Sequence, residues 1–286
     1  MFDLFGNPIP QAPSPALNPD GVSVRGCQYI YAPEGQAGEY SALAANPYRG
    51  CGMGCAYCYV PDNVLRGQIS RAEFDAGAKP RPDYLRNLDR DARKYQAAGI
   101  REQVMFSFTS DCYNPFDTTI TRPALQIVQK HGMGICVLTK GGKRALIDLD
   151  LYRPDRDAFA STLTSLDDAF SLKWERRAAL PGDRITTLKA FHAAGIFTWV
   201  SLEPVIDTAS SLQLVRETHE FVDLYKIGWA NYLPQTASTN WQAYTLAMLE
   251  LVNKLGVAHY FKHDLQRYLP PGYPNPRRVQ QHHNSL

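Results

Sequence analysis

A regular alternation that begins near residue 100 limits the fold more than any other feature of this chain. Short apolar runs are "VMFSFT" (104–109), "GICVLTK" (134–140), "FASTLT" (159–164), "IFTWVSLEPV" (196–205) and "LYKIGW" (224–229). Longer stretches with helical spacing of apolar residues are "TRPALQIVQKHG" (121–132), "PGDRITTLKAFHAAG" (181–195), "SSLQLVRETHEF" (210–221) and "NWQAYTLAMLELVNKLG" (240–256). The second of these opens on Pro and closes on Gly, residues favoured at a helix start and just past its end. "AHYFKH" (258–263) reads as one more strand. A helix between two strands returns the chain to the same end of the sheet, so the strands run parallel. Adding one strand ahead of residue 51 and a helix in "PRPDYLRNLDRDARKYQAAG" (80–99) gives about six βα units. The class is α/β, and that number suits a barrel or part-barrel better than a small open sheet. Active sites of such barrels sit at the C-terminal ends of the strands. The expected organisation is an irregular Pro- and Gly-rich leader over 1–38, the barrel over 39–265 and a loose tail over 266–286.

A length of 286 residues buries a large core without covalent help. A net charge of +2 does not advertise a nucleic-acid or membrane partner, although it leaves room for a local basic groove. No stretch approaches the roughly 18 apolar residues of a membrane span. The first 21 residues lack a basic start and a continuous apolar run, so no secretory signal is read there and a cytoplasmic location is expected. In that compartment clustered cysteines point to metal or redox chemistry rather than disulfides.

Half of the six cysteines crowd into "NPYRGCGMGCAYCY" (46–59), as Cys51, Cys55 and Cys58. The spacing lets the chain curl around one metal centre, and Gly52 and Gly54 tolerate the backbone angles such a curl needs. Thiolates suit zinc or iron–sulfur clusters. A structural zinc site is closed by four ligands, but no second cysteine pair exists and His131 is an unpersuasive fourth. Iron–sulfur clusters also usually take four cysteines. Three leave one metal position open, which points to catalysis.

Cys-x3-Cys-x2-Cys with Tyr57 just before the last cysteine resembles the signature of radical S-adenosylmethionine (SAM) enzymes. The wider stretch "YIYAPEGQAGEYSALAANPYRGCGMGCAYCY" is similar to the branch related to spore photoproduct lyases, and the resemblance covers roughly residues 30–265. It implies a partial (βα)6 TIM-like barrel of the radical SAM type. It implies a 4Fe-4S cluster on Cys51, Cys55 and Cys58, with S-adenosylmethionine chelating the fourth iron. One electron then cleaves SAM to methionine and a 5′-deoxyadenosyl radical, which takes a hydrogen atom from a substrate. An external one-electron reductant of flavodoxin or ferredoxin type is the implied partner. Nucleic acid, a modified nucleotide, a peptide and a metabolite all stay open as substrates. The rival class is a non-catalytic metal or Fe-S binding module with a scaffold role.

Further site residues come from strand ends. "FTSDCYNPFD" (108–117) places Ser110 and Asp111 where the branch binds the SAM amino group; the same pair is also a good turn cap. "LTKGG" (138–142) offers Lys140 to the SAM carboxylate, a lysine the branch also carries there. Ser161 or Thr162 could bond ribose or methionine, and Glu203 could contact ribose or adenine. In "WERR" (174–177) relatives often read Glu-Pro; here Arg176 stands for the proline and Glu175 is kept as a candidate. Cys112 is a candidate catalytic hydrogen donor, but the branch places its donor cysteine before the Thr-Ser-Asp, where this chain has Phe108. Repair of spore photoproduct is therefore not expected, and a buried free cysteine is the plainer reading. Cys27 and Cys136 read as structural. Arg86, Arg90, Arg93 and Lys94 share a helical face interleaved with Asp83, Asp89 and Asp91, the pattern of a solvated outer helix. His282 and His283 fall in the tail.

Overall fold

The computed structural model of the chain describes residues 23–231 and 233–276. The start of the leader and the end of the tail, with His282 and His283, lie outside the described residues. The first strand, β1 (Leu43–Ala45), precedes the cysteine loop. A short antiparallel ribbon of β2 (Tyr48–Arg49) and β3 (Lys79–Pro80) brackets that loop, and within it lies α1 (Arg71–Ala76). After α2 (Tyr84–Ala97) come β4 (Gln103–Phe106), α3 (Thr121–Lys130), β5 (Gly134–Thr139) and β6 (Ala158–Thr162). Then follow α4 (Asp168–Trp174), α5 (Pro181–Ala193), β7 (Phe197–Leu202), α6 (Thr208–Thr218) and β8 (Leu224–Ile227). The last elements are α7 (Trp241–Leu255), β9 (His259–Phe261) and α8 (His263–Gln266). Seven strands pair in the order β1-β4-β5-β6-β7-β8-β9, every pair parallel, and curl into a partial barrel.

Side chains alternate across each strand, so each strand feeds two cores. Met105, Cys136, Ala158, Ala160, Trp199 and Leu224 meet on one face of the sheet. Phe106, Ile135, Val137, Phe159, Val200 and Ile227 pack with the helices on the other. Burial on both faces explains why these segments read as continuous apolar runs rather than as a clean alternation. The β5–β6 connection contains a 3-10 stretch, Gly142–Leu151. One expectation shifts. β4 ends at Phe106, three residues earlier than "VMFSFT" implies, because the chain leaves the sheet through Phe108, whose φ is +85°.

Residues 28–31 are held to the body. The buried Asp91 carboxylate accepts the backbone N–H groups of Gln28 (2.8 Å), Tyr29 (2.7 Å) and Ile30 (3.4 Å), and Tyr31 pairs with Ala44. Along the outside of α2, Arg86, Arg90 and Arg93 pair with Asp83, Asp91 and Asp89, so this face is charged and internally compensated.

Candidate active site

A cavity of about 550 Å³ opens at the C-terminal ends of the strands, and Cys51, Cys55 and Cys58 line it. Two adjoining segments shape the cysteine loop. On one side, the Phe74 carbonyl of α1 accepts the Cys51 N–H at 3.1 Å. On the other, residues 174–177 clasp it. Ala56 N–H donates to Trp174 O at 2.8 Å, Arg177 N–H donates to Met53 O at 3.0 Å, and Cys55 and Glu175 form an antiparallel bridge. The Arg177 guanidinium adds a bond from Nε to Gly52 O at 2.6 Å. Gly52 and Gly54 have φ of +73° and +67°, as the curl requires, and a Cβ on Gly52 would stand 2.5 Å from the Phe116 ring. Among the described residues, no three His, Cys, Asp or Glu side chains gather closely enough to hold a single metal ion. Burial pushes the Cys55 thiol up to about 12; Lys140 opposes the rise, and Glu175 and Cys58 add to it. Burial and the neighbouring Asp111 raise Cys51 as well.

Behind the loop lies a network of ionic groups. Glu175 and Arg184 form an ion pair almost wholly out of solvent, and Tyr57 OH donates to the same carboxylate. Arg184 also donates to Ala179 O (2.7 Å) and Thr162 O (2.9 Å), so its buried guanidinium is well bonded. Burial alone would raise the Glu175 pKa; Arg184 and Lys140 outweigh it and hold the carboxyl below its ordinary value. Lys140 lines the cavity. Burial disfavours its charge, but Cys55, Glu175 and Asp111 around it prevail and its pKa rises.

Ser110 and Asp111 both line the cavity, with different bonding. Asp111 is engaged by the protein: Oδ1 accepts from Tyr113 N–H (2.9 Å) and Thr139 Oγ1 (2.5 Å), and Oδ2 from Lys140 N–H (2.8 Å). It ties the end of β5 to the loop after β4, the capping role that its sequence context also allowed. Ser110 Oγ is buried and has no partner. Thr162 faces the cavity, whereas Ser161, one residue earlier on β6, does not line it and bonds Thr139 O at 3.0 Å. Glu203 lines the cavity beyond the end of β7. Its carboxylate accepts from Tyr40 OH and pairs with Lys262, which follows β9. Cys112 is placed elsewhere: it is fully buried in the core between sheet and helices, with Sγ 3.8 Å from Phe106 O, and is not among the cavity residues. Phe108 does line the cavity, packed edge-on against Tyr40.

Sequence reasoning missed Tyr40, Arg184 and Lys262. The signal for Lys262 was its position just past a strand, the same signal used for Lys140. Arg184 carried none, since it sits inside an ordinary helix. His131 bonds Gln96 (2.7 Å) and Asp89 (2.9 Å) and is spent on the outer layer. Cys136 Sγ accepts from Trp199 Nε1 at 3.4 Å within the core.

The profile of the Radical SAM superfamily matches residues 45–222, a span that includes the cysteine loop and the strand ends described above. The chain belongs to the radical SAM superfamily. Membership implies cleavage of SAM at an iron–sulfur cluster. No curated protein matches the chain. Among solved structures, a variant of spore photoproduct lyase aligns with a TM-score of 0.58 at 11% identity, covering 84% of this chain and 80% of that one. Streptococcus suis SuiB bound to S-adenosylmethionine aligns with a TM-score of 0.55 at 13% identity, covering 76% of this chain and 46% of SuiB. SuiB bound to its precursor peptide SuiA gives 0.57 at 12% identity, covering 77% and 48%. The chain thus spans about half the length of SuiB. Among the described residues, no helix is long and apolar enough to cross a membrane.

Proposed function

We propose that Cys51, Cys55 and Cys58 hold a 4Fe-4S cluster and that SAM binds beside it in the cavity. The observation that carries this reading is three thiols, Cys55 buried and Cys51 and Cys58 half-buried, lining a cavity that also presents Lys140 and the unpartnered hydroxyl of Ser110. The donor set fits both groups: soft thiolates for iron, a fixed cation for a carboxylate, and a free acceptor for an ammonium. Held by these residues, the cluster and SAM would supply one-electron reductive cleavage and, from it, hydrogen abstraction from a substrate.

The chain's own residues position and seal. Lys140 is held charged by its neighbours and binds the SAM carboxylate. Ser110 Oγ accepts from the SAM ammonium. Asp111 acts mainly through the turn it holds, fixing Lys140 and Ser110 relative to each other. Thr162 and Glu203 are placed for the ribose or adenine. Tyr57 and Glu175 keep the loop seated. The outer part of the cavity is walled by Tyr31, Tyr59, Phe108 and Trp229. Lys262 there is already paired with Glu203. A planar or apolar portion of substrate fits that wall better than a phosphate. Cys112 lies outside the cavity, so a thiol returning hydrogen to a substrate radical has no place here, and the reading excludes spore photoproduct repair.

The test is anaerobic iron loading followed by dithionite and SAM. The reading predicts bound iron and sulfide, and release of methionine and 5′-deoxyadenosine. A protein that binds stoichiometric zinc and leaves SAM intact under those conditions would contradict it.

A further inference from the structure

β1 and β4 stop pairing just short of the cavity, and Ala45 opposite Phe106 is the last pair of their ladder. One residue on, Asn46 is buried, and its side chain takes over the connection. Its Oδ1 accepts from the Thr109 N–H at 2.8 Å, and its Nδ2 donates to the Tyr31 hydroxyl at 2.6 Å. A backbone N–H can only donate, so the amide oxygen must face Thr109 and the amide nitrogen must face Tyr31. The Asn46 carbonyl accepts from Arg81 Nη1 at 3.2 Å, which holds the backbone of the same residue.

The bond to Thr109 falls where the chain most needs one. Phe108, immediately before it, has φ of +85°, a conformation that a bulky residue keeps only when its surroundings impose it. Ser110, immediately after it, carries the buried hydroxyl with no partner. Asp111 is tied to Thr139 and Lys140 at the end of β5. Ser110 therefore stands between two anchors, Asn46 on the β1 side and Asp111 on the β5 side. Without the Asn46 amide, the Thr109 N–H loses its acceptor and Phe108 is freer to relax. Either change moves Ser110 Oγ.

We propose that Asn46 is a positioning residue for SAM, fixing the turn that presents Ser110 Oγ to the SAM ammonium. The proposal rests on the reading of Ser110 as the acceptor of that ammonium. Asn46 is not among the residues that line the cavity, so it acts through Thr109 and Ser110 rather than by touching the ligand. A hydrogen bond weakens steeply as its geometry leaves the ideal. A small displacement of Ser110 Oγ therefore costs nearly as much as its removal.

The experiment uses the full chain, anaerobically loaded with iron, and titrates SAM and its deaminated analogue by calorimetry. The proteins are the parent, Ser110→Ala, Asn46→Ala, Asn46→Asp and the double variant Asn46→Ala/Ser110→Ala. Asn46→Asp keeps an oxygen facing Thr109, and the Tyr31 hydroxyl can turn its proton toward the other oxygen. SAM affinity should fall about tenfold in Ser110→Ala, by a similar factor in Asn46→Ala, and no further in the double variant, because both changes remove the same contact. Asn46→Asp should bind SAM as the parent does. The deaminated analogue has no ammonium to place, so it should bind all five proteins equally, and bound iron should also be equal. Should Asn46→Ala fail to fold, Asn46→Leu removes the same acceptor at closer volume and carries the same expectation. Parent-like SAM affinity in Asn46→Ala beside a loss in Ser110→Ala overturns the proposal alone. So does an additive loss in the double variant, which would show Asn46 acting apart from Ser110. So does an equal loss of the analogue in Asn46→Ala, the mark of a general role in the fold. A Ser110→Ala protein that binds SAM as the parent does removes the reading of Ser110 itself, and the proposal with it; that outcome is recognised without any Asn46 variant.

Discussion

The two walls of the cavity are built on opposite plans. The cysteine wall is a glycine-bearing loop with little regular structure, its thiols line the cavity, and its backbone is clasped by residues 174–177. The strand-end wall is rigid, and most of its ionic groups are already spent on one another: Asp111 on the β5 turn, Glu203 on Tyr40 and Lys262. Ser110 and Lys140 are the exceptions, one without a partner and the other presented to the cavity. A side chain near a site is a poor guide to its role until its existing bonds are counted. The cysteine wall is set up to receive a ligand, and the strand-end wall to hold its shape while two groups reach inward.

The largest effect that could break this contrast is at the thiols. Cys51→Ala, Cys55→Ala or Cys58→Ala should each lose most bound iron and all reductive SAM cleavage, whereas Cys27→Ala and Cys136→Ala keep both. Iron assay after anaerobic loading checks this, and full iron in Cys55→Ala would end the distinction between loop and scattered cysteines.

Next comes the clasp. Arg184→Met leaves Glu175 buried without its partner, a change that typically costs about 3–5 kcal/mol. Denaturant unfolding should show the loss, with poorer iron retention if the clasp seats the loop. The pH dependence has a definite sign. The Glu175 carboxyl is held below its ordinary pKa, so its pair contributes stability above the ordinary carboxylate range and loses it as pH falls through the lowered value. The stability gap between the parent and Glu175→Gln should therefore be full at neutral pH and shrink only in acid. A gap that grew on acidification would refute the assignment.

On the other wall the account separates two neighbours. Ser110→Ala should weaken SAM binding with unfolding unchanged, since removing one hydrogen bond to a charged group costs about 1.5–3 kcal/mol. Asp111→Ala should weaken SAM binding and also lower stability, because three protein donors lose their acceptor. Titration of SAM beside thermal melting separates the two, and a stable Asp111→Ala protein would show that its bonds matter less than their number implies. Smallest of all, Cys112→Ala should leave SAM cleavage unchanged and cost about 1 kcal/mol of stability. Cysteine-dependent formation of thymine pairs from dinucleotide spore photoproduct would show instead that this thiol reaches substrate.

Much of the fold was legible because a parallel sheet buried on both faces writes itself as apolar runs, and "GICVLTK" and "IFTWVSLEPV" show this plainly. The cysteine loop was legible because its three cysteines lie within eight residues of one another. What was not legible depends on long-range pairing. Arg184 reaches Glu175 from one turn inside α5, and Lys262 meets Glu203 across 59 residues; no local spacing encodes either. The choice between Ser161 and Thr162 turns on strand register, where a shift of one residue exchanges the faces. Asp111 shows a further limit, since the same residue type at the same place suits a ligand acceptor and a turn cap, and the structure shows it capping.

The most direct test of the central claim is Mössbauer spectroscopy of the anaerobically iron-loaded protein, recorded with and without SAM. Three cysteines on a four-iron cluster with SAM at the open position predict that SAM alters the signal of a single iron site and leaves the rest unchanged. Spectra that are identical with and without SAM, or a protein that takes up no iron, would contradict the account.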